Sequence, residues 1–160
     1  MAKNKVPKTN ALRLLDYHGI KYEVRTYEAP DGFLDGLSVA KQVGMDPGEV
    51  YKTLVLQGTT GEYYVCVIPV ECELDLKKAA RHFGQKKVEM IPAREINTVT
   101  GYFKGGCSPI GMKKLFKTAI ASQAEHREQI TVSAGRVGLQ VTLPTRALQE
   151  MVKAEFVDLT

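Results

Sequence analysis

The sequence predicts a mixed α+β fold, on three observations. Short helical and strand patterns interleave from end to end, their order is irregular, and one segment has the spacing of a β-hairpin. A regular βαβ winding would alternate strictly, so a mixed sheet with helices packed around it is favoured. The 160 residues are expected to form one domain, 1–160, because no repeat or Pro/Gly/Ser linker divides them and the length suffices for one core.

Taken in order, Thr9–His18 reads as a helix: Thr9 can cap it, Ala11, Leu12 and Leu15 share a face, and Gly19 offers a left-handed stop. Tyr22–Tyr27 reads as a strand, and Leu37–Val43 as a helix ending at Gly44, followed by Asp46-Pro47-Gly48 turn chemistry. Tyr51–Gln57 and Glu62–Pro69 form the hairpin, joined by the glycine-bearing Gly58–Gly61. The clearest helix follows, with Leu76, Ala79, Ala80 and Phe83 on one face, Asp75 as cap and Gly84 as stop. Val88–Ile91 is a short strand, and Pro92 suits the first turn of a short helix. After the glycine-rich loop Gly101–Gly111, strands are expected at Thr118–Ala121, Ile130–Ser133 and Leu139–Leu143, then a helix at Arg146–Val152 and a closing strand at Phe156–Leu159.

The composition, 44% hydrophobic and 25% charged, is that of a soluble globular chain. No apolar run reaches the ~18 residues of a membrane helix, and the basic start has no apolar stretch behind it, so neither a membrane span nor a signal peptide is expected and the cytoplasm is the expected compartment. Cys66, Cys72 and Cys107, an odd number without a CxxC pair, are read as free thiols, and neither a metal site nor a cofactor is expected. The net charge of +4 does not by itself announce a nucleic-acid binder. The lysines cluster, however, at Lys77, Lys78, Arg81, Lys86 and Lys87 and again at Lys113, Lys114 and Lys117. These are either solvated faces or a surface that meets a polyanion.

Three features could carry chemistry. Lys52 shares a strand face with Leu54 and Leu56, so it either snorkels from the strand end or points into a pocket, where its ammonium would partner a phosphate or a polarised carbonyl. Gly101–Gly111 matches neither a Walker loop nor a dinucleotide fingerprint, and is either a structural loop or a cradle whose backbone approaches a ligand closely. Within it, Cys107 invites a nucleophile hypothesis, but a nucleophile needs a base. Nothing in the sequence places His18, His82 or His126 beside it.

Several of these segments resemble one family. Val50-Tyr51-Lys52-Thr53-Leu54, Leu74–Lys78, Lys87–Met90, Thr100-Gly101-Tyr102, Gly105–Gly111 and Val132–Gly135 are similar in order and spacing to the YbaK/EbsC family. The resemblance implies a sheet curved toward a barrel, related to the editing domain of bacterial prolyl-tRNA synthetases. It also implies trans-editing of cysteinyl-tRNA(Pro), which is made because a size difference this small is poorly discriminated in a pocket. The implied mechanism needs no metal and no enzyme nucleophile: the substrate's thiol attacks its own ester, releasing a thiolactone. Its partners would be aminoacyl-tRNA, tRNA(Pro) in particular, with prolyl-tRNA synthetase a candidate in a transient complex. By this resemblance Lys52 is the essential lysine, Tyr27 the pocket tyrosine, and Gly105, Gly106, Cys107, Ser108, Pro109 and Gly111 the loop that holds the aminoacyl group. Gln140 stands where the best-known members have a contributing aspartate, and Cys107 where they have an aliphatic residue. A non-catalytic tRNA- or synthetase-binding module and a Cys107-dependent hydrolase are the alternatives.

Overall fold

The computed structural model describes residues 7–160, in which the helices and strands follow the order predicted. Helix α1 (Asn10–Tyr17) is capped by Thr9, whose hydroxyl accepts from the Leu12 N–H at 3.2 Å, and it buries Ala11, Leu12 and Leu15. After β1 (Glu23–Thr26), α2 (Gly36–Gln42) is capped by Asp35, which accepts from the Ser38 N–H at 2.9 Å. The hairpin follows as β2 (Tyr51–Gly58) and β3 (Tyr63–Pro69). In α3 (Leu76–His82) the Asp75 carboxylate accepts from the Lys77 and Lys78 N–H groups at 3.0 and 3.1 Å. These caps supply acceptors for amides that a first helical turn leaves without a carbonyl.

The remaining elements are β4 (Val88–Met90), α4 (Ile96–Thr100), β5 (Lys117–Ala121), β6 (Gln129–Arg136), β7 (Leu139–Pro144), α5 (Thr145–Val152) and β8 (Glu155–Val157). Two sheets result. One is antiparallel in the order β1-β7-β6, and the other is mixed in the order β4-β2-β3-β5-β8. The hairpin pairs Tyr51 with Pro69 through to Gln57 with Tyr63; β4 adds to it antiparallel, while β5 and β8 add in parallel. Parallel neighbours need long crossovers. Here α3, β4, α4 and the glycine loop cross between β3 and β5, and β6, β7 and α5 between β5 and β8. The core packs on both sheets. Leu56, Ile68, Ile120, Val141 and Leu148 lose all solvent exposure, each contributing about 1.5–3 kcal/mol of hydrophobic stabilisation. Tyr64 stacks on Phe83 with ring centroids 4.4 Å apart.

Three expectations are corrected. The sheets do not close into a barrel: they remain separate ladders that touch at a parallel bridge between Val50 and Thr131. Beyond Ser133 the pairing of β6 with β7 shifts register at a bulge, Ala134-Gly135, where Gly135 has φ 100°. Pro92 sits one residue before a 3-10 turn (Ala93–Glu95) that runs into α4. The last strand is Glu155–Val157, set by its register with Ala119–Ala121, and fully buried Leu159 lies beyond it, its carbonyl accepting from the Asp75 N–H. A second 3-10 turn, Ser122–His126, lies between β5 and β6.

Candidate active site

Where the two sheets part beside the Val50–Thr131 bridge, a cavity of about 330 Å³ opens. β2 supplies one wall through Tyr51, Lys52, Thr53 and Leu54, and the three-stranded sheet supplies another through Ser133 and Gln140. The glycine loop, α2, and the segment from β4 to α4 complete it. The lining is mainly apolar, with few polar groups converging on it, as in most small-ligand sites.

Lys52 is partly buried and is among the residues that line this cavity. It faces Ile68 across the hairpin and lies two residues beyond the bridge. Tyr27, just past β1, is 8% exposed; its N–H donates to the Gly138 carbonyl at 3.0 Å, tying it to the β6–β7 turn. Gln140 pairs with Arg25 on one side and Ser133 on the other. Its side-chain Oε1 is buried without a hydrogen-bond partner among the described residues, an arrangement that costs free energy unless a ligand or water supplies a donor.

The glycine loop divides in two. Gly105, at φ 86°, and Cys107 line the cavity. Gly106 does not, and its role is close packing: a Cβ there would fall 2.7 Å from the Val137 nitrogen and 2.8 Å from the Arg136 carbonyl carbon. Ser108 is fully buried, and its hydroxyl accepts from the Ile110 N–H at 3.2 Å, closing a turn. Pro109 and Gly111 border a different cavity, between α1 and α5. Tyr102 fixes this far end by donating to the Ile110 carbonyl at 2.6 Å. Of the sequence candidates, then, Tyr27, Lys52, Gly105, Cys107 and Gln140 meet, while Gly106, Ser108, Pro109 and Gly111 brace them from behind.

Cys107 has the wrong electrostatics for a nucleophile. Burial pushes its thiol up to about 11, only partly offset by the hydroxyl of Thr100, 3.9 Å away. A thiol is activated by the opposite surroundings, a cation or an imidazole that favours thiolate. His18 ends α1 against Tyr17, His82 faces Glu155 at 3.4 Å, and His126 is exposed at the end of a 3-10 turn. No hydrogen bond joins any of them to Cys107 among the described residues. Among those residues there is also no group of three or more His, Cys, Asp or Glu side chains placed to hold a metal.

Sequence reasoning missed Ser133, Thr53, Tyr51 and Lys104 as lining residues. Ser133 was findable, since a polar residue directly paired with Gln140 on a buried strand stands out once the register is known. Lys104 was hidden in a loop; its ammonium lies 5.2 Å from the ring centroid of Phe33, which is half exposed. The basic clusters fare unequally. Lys78 is neutralised by Asp158 at 2.9 Å and also donates to the Thr160 carbonyl, whereas Lys113, Lys114 and Lys117 are exposed and in no ion pair among the described residues. No helix among the described residues is long and apolar enough to cross a membrane.

The chain is similar to known proteins over nearly its whole length. The chain is 42% identical over 161 residues to a protein of Enterococcus faecalis, EbsC, whose provisional designation is Cys-tRNA(Pro)/Cys-tRNA(Cys) deacylase; the match covers 100% of this chain and 98% of that one. At 21% identity the fold matches the crystal structure of hypothetical protein APE2540, with a TM-score of 0.84 over 94% of this chain and 99% of that one. It also matches, at 21% identity and a TM-score of 0.79, a structure provisionally described as a trans-editing enzyme for prolyl-tRNA synthetase, over 94% of this chain and 92% of that one. The family profile described as "Aminoacyl-tRNA editing domain" matches residues 37–151, a span that carries Lys52, the glycine loop and Gln140. The chain belongs to the family of aminoacyl-tRNA editing domains.

Proposed function

We propose that the chain is a trans-editing deacylase that removes cysteine from cysteinyl-tRNA(Pro) by cleavage assisted by the substrate's own thiol. The observation that carries this reading is the pairing, in one cavity, of a cation, Lys52, with an enzyme thiol held protonated at neutral pH. The aminoacyl group enters between β2 and the three-stranded sheet, with Tyr27, Gly105 and Gln140 around it. The substrate sulfur attacks the ester carbonyl carbon, forming a C–S bond and a tetrahedral oxyanion. The C–O bond to the ribose then breaks, the ribose oxygen takes the proton that the thiol gives up, and a cyclic thiolactone leaves. Lys52 stabilises the charge that develops on the carbonyl oxygen. The walls hold the sulfur near the carbonyl, so that the attack is effectively unimolecular. The designation of the Enterococcus faecalis relative supports cysteine as the amino acid. Prolyl-tRNA synthetase is the partner expected to present the tRNA.

The test uses two arms. Cys107→Ala should keep most of its activity toward cysteinyl-tRNA(Pro), and the wild-type protein should be far slower on an S-methylated cysteinyl-tRNA. A folded but inactive Cys107→Ala protein, or an aminoacyl adduct on Cys107, refutes the mechanism. Tight tRNA binding without any ester loss would instead indicate a binding module.

A further inference from the structure

Beside the first cavity lies a second, of about 300 Å³, lined by the β2–β3 turn (Gly58, Thr59), by Lys87 and Glu89 of the β4 region, and by Pro92 and Glu95. Met90 and Ile91 border both cavities. We propose that this second cavity takes the penultimate nucleobase of the substrate, the cytosine that precedes the terminal adenosine in the CCA end of tRNA. The proposal rests on the deacylase reading above.

Three features support it. The first is position. The ester sits on the terminal ribose, so an aminoacyl group in the first cavity puts that ribose at its rim and the preceding nucleotide one phosphodiester link away, within reach of a cavity that shares a wall with the first. The second is chemistry. Two carboxylates make this cavity a poor phosphate site, but carboxylates accept hydrogen bonds from the exocyclic amine of cytosine. Glu89 is held by Lys87 at 3.0 Å, whereas Glu95 is in no ion pair among the described residues and is free to accept. The Lys87 ammonium, a donor only, suits the ring nitrogen and carbonyl oxygen of the same base edge. The third is the ridge. Met90 is 52% exposed between the cavities, and a thioether makes favourable contacts with an aromatic ring. Uracil presents a carbonyl where cytosine presents its amine, so a carboxylate rejects it.

The experiment compares kcat/KM on two cysteinyl-tRNA(Pro) transcripts, charged by an acylating ribozyme, with C or U at the penultimate position. Wild-type protein is expected to prefer C by roughly tenfold, the discrimination of one good base-edge contact. In the Glu89→Gln/Glu95→Gln double variant that ratio should fall toward unity, because an amide can donate as well as accept. Equal rates for the wild-type protein on the two transcripts, or a full preference retained by the double variant, overturn the subsite while leaving the deacylase reading intact. A wild-type protein that cleaves neither overturns that reading, and the subsite with it.

Discussion

Gly106→Ala tests the placement of the loop by steric argument alone. Gly106 is not among the glycines with positive φ, so an alanine there meets no backbone strain of its own. Its Cβ would instead fall 2.7 Å from Val137 N, 2.8 Å from Arg136 C and 3.0 Å from Arg136 Cα. All three are backbone atoms where β6 ends and the turn to β7 begins, and none can rotate away. To restore contacts near 3.5 Å, the loop or the turn must move by about 0.5–1 Å. Overpacking of this kind costs about 1–3 kcal/mol, which in a chain of this length lowers Tm by about 2–12 °C. The displaced neighbours are Gly105 and Cys107, both in the cavity wall, and a misplacement approaching 1 Å costs up to ~100-fold in rate. Calorimetry and kcat/KM on cysteinyl-tRNA(Pro) are the measurements. Gly61→Ala is the control: nothing lies within 4 Å of its built Cβ and its φ is 89°, so it should lower Tm through backbone strain while sparing kcat/KM. A Gly106→Ala protein with wild-type Tm and rate would refute the steric reasoning.

Lys52→Ala should lose about 2–4 kcal/mol of transition-state stabilisation without unfolding the protein; Lys52→Arg should also be impaired, since the two cations differ in shape and hydration. A soluble Lys52→Ala protein with undiminished deacylation would remove the lysine from the mechanism. Affinity for tRNA should fall steeply with salt, and replacing Lys113, Lys114 and Lys117 by alanine should flatten that dependence; identical salt slopes for the two proteins would make these lysines plain solvated surface. Stability should decline at alkaline pH. Burial pushes Cys66 up to about 12 and Cys107 up to about 11, so the unfolded thiols ionise first: stability is intact below about pH 8.5 and is lost as pH rises through the folded values. Urea unfolding of Cys107→Ala across that range should show a shallower decline than wild type, and superimposable curves would count against the burial argument.

Much of this was legible because local signals and tertiary structure agree. Thr9 and Asp75 cap the helices they were expected to cap, and Gly19, Gly44 and Gly84 take left-handed φ where the chain was expected to stop. The hairpin followed from alternation and turn length, its strands falling at Tyr51–Gly58 and Tyr63–Pro69. What stayed hidden is what depends on distant partners. The parallel additions of β5 and β8 rest on pairings such as Cys66 with Ala119 and Ile120 with Phe156, which no local pattern encodes. The same applies to the glycine loop. Its spacing pointed to a cradle or a structural loop; Gly105 and Cys107 line the cavity, and Gly106 meets a turn about 30 residues away, closely enough to exclude a Cβ. Ser133 and Thr53 look like ordinary strand residues until the two sheets are set side by side.

The failure of the barrel to close explains why the site lies where it does. Val50 and Thr131 form a parallel bridge, and the Thr131 N–H also donates to the Glu49 carbonyl at 3.3 Å. Two residues further along each strand come Lys52 and Ser133, and Ser133 pairs with Gln140. Had the ladder continued, these residues would have been sheet neighbours with backbone filling the space between them. Because it stops, their side chains line the gap instead, and the bridge fixes how far apart the walls stand. Thr131 is held by more than this pairing: its hydroxyl lies 2.7 Å from that of Thr142 and is fully buried, and Arg25 donates to Thr142 from the third strand. A chain of polar contacts therefore runs across the three-stranded sheet to the bridge, tying together the strands that carry Ser133 and Gln140. A buried threonine pair outside the cavity lining thus braces one wall of the cavity.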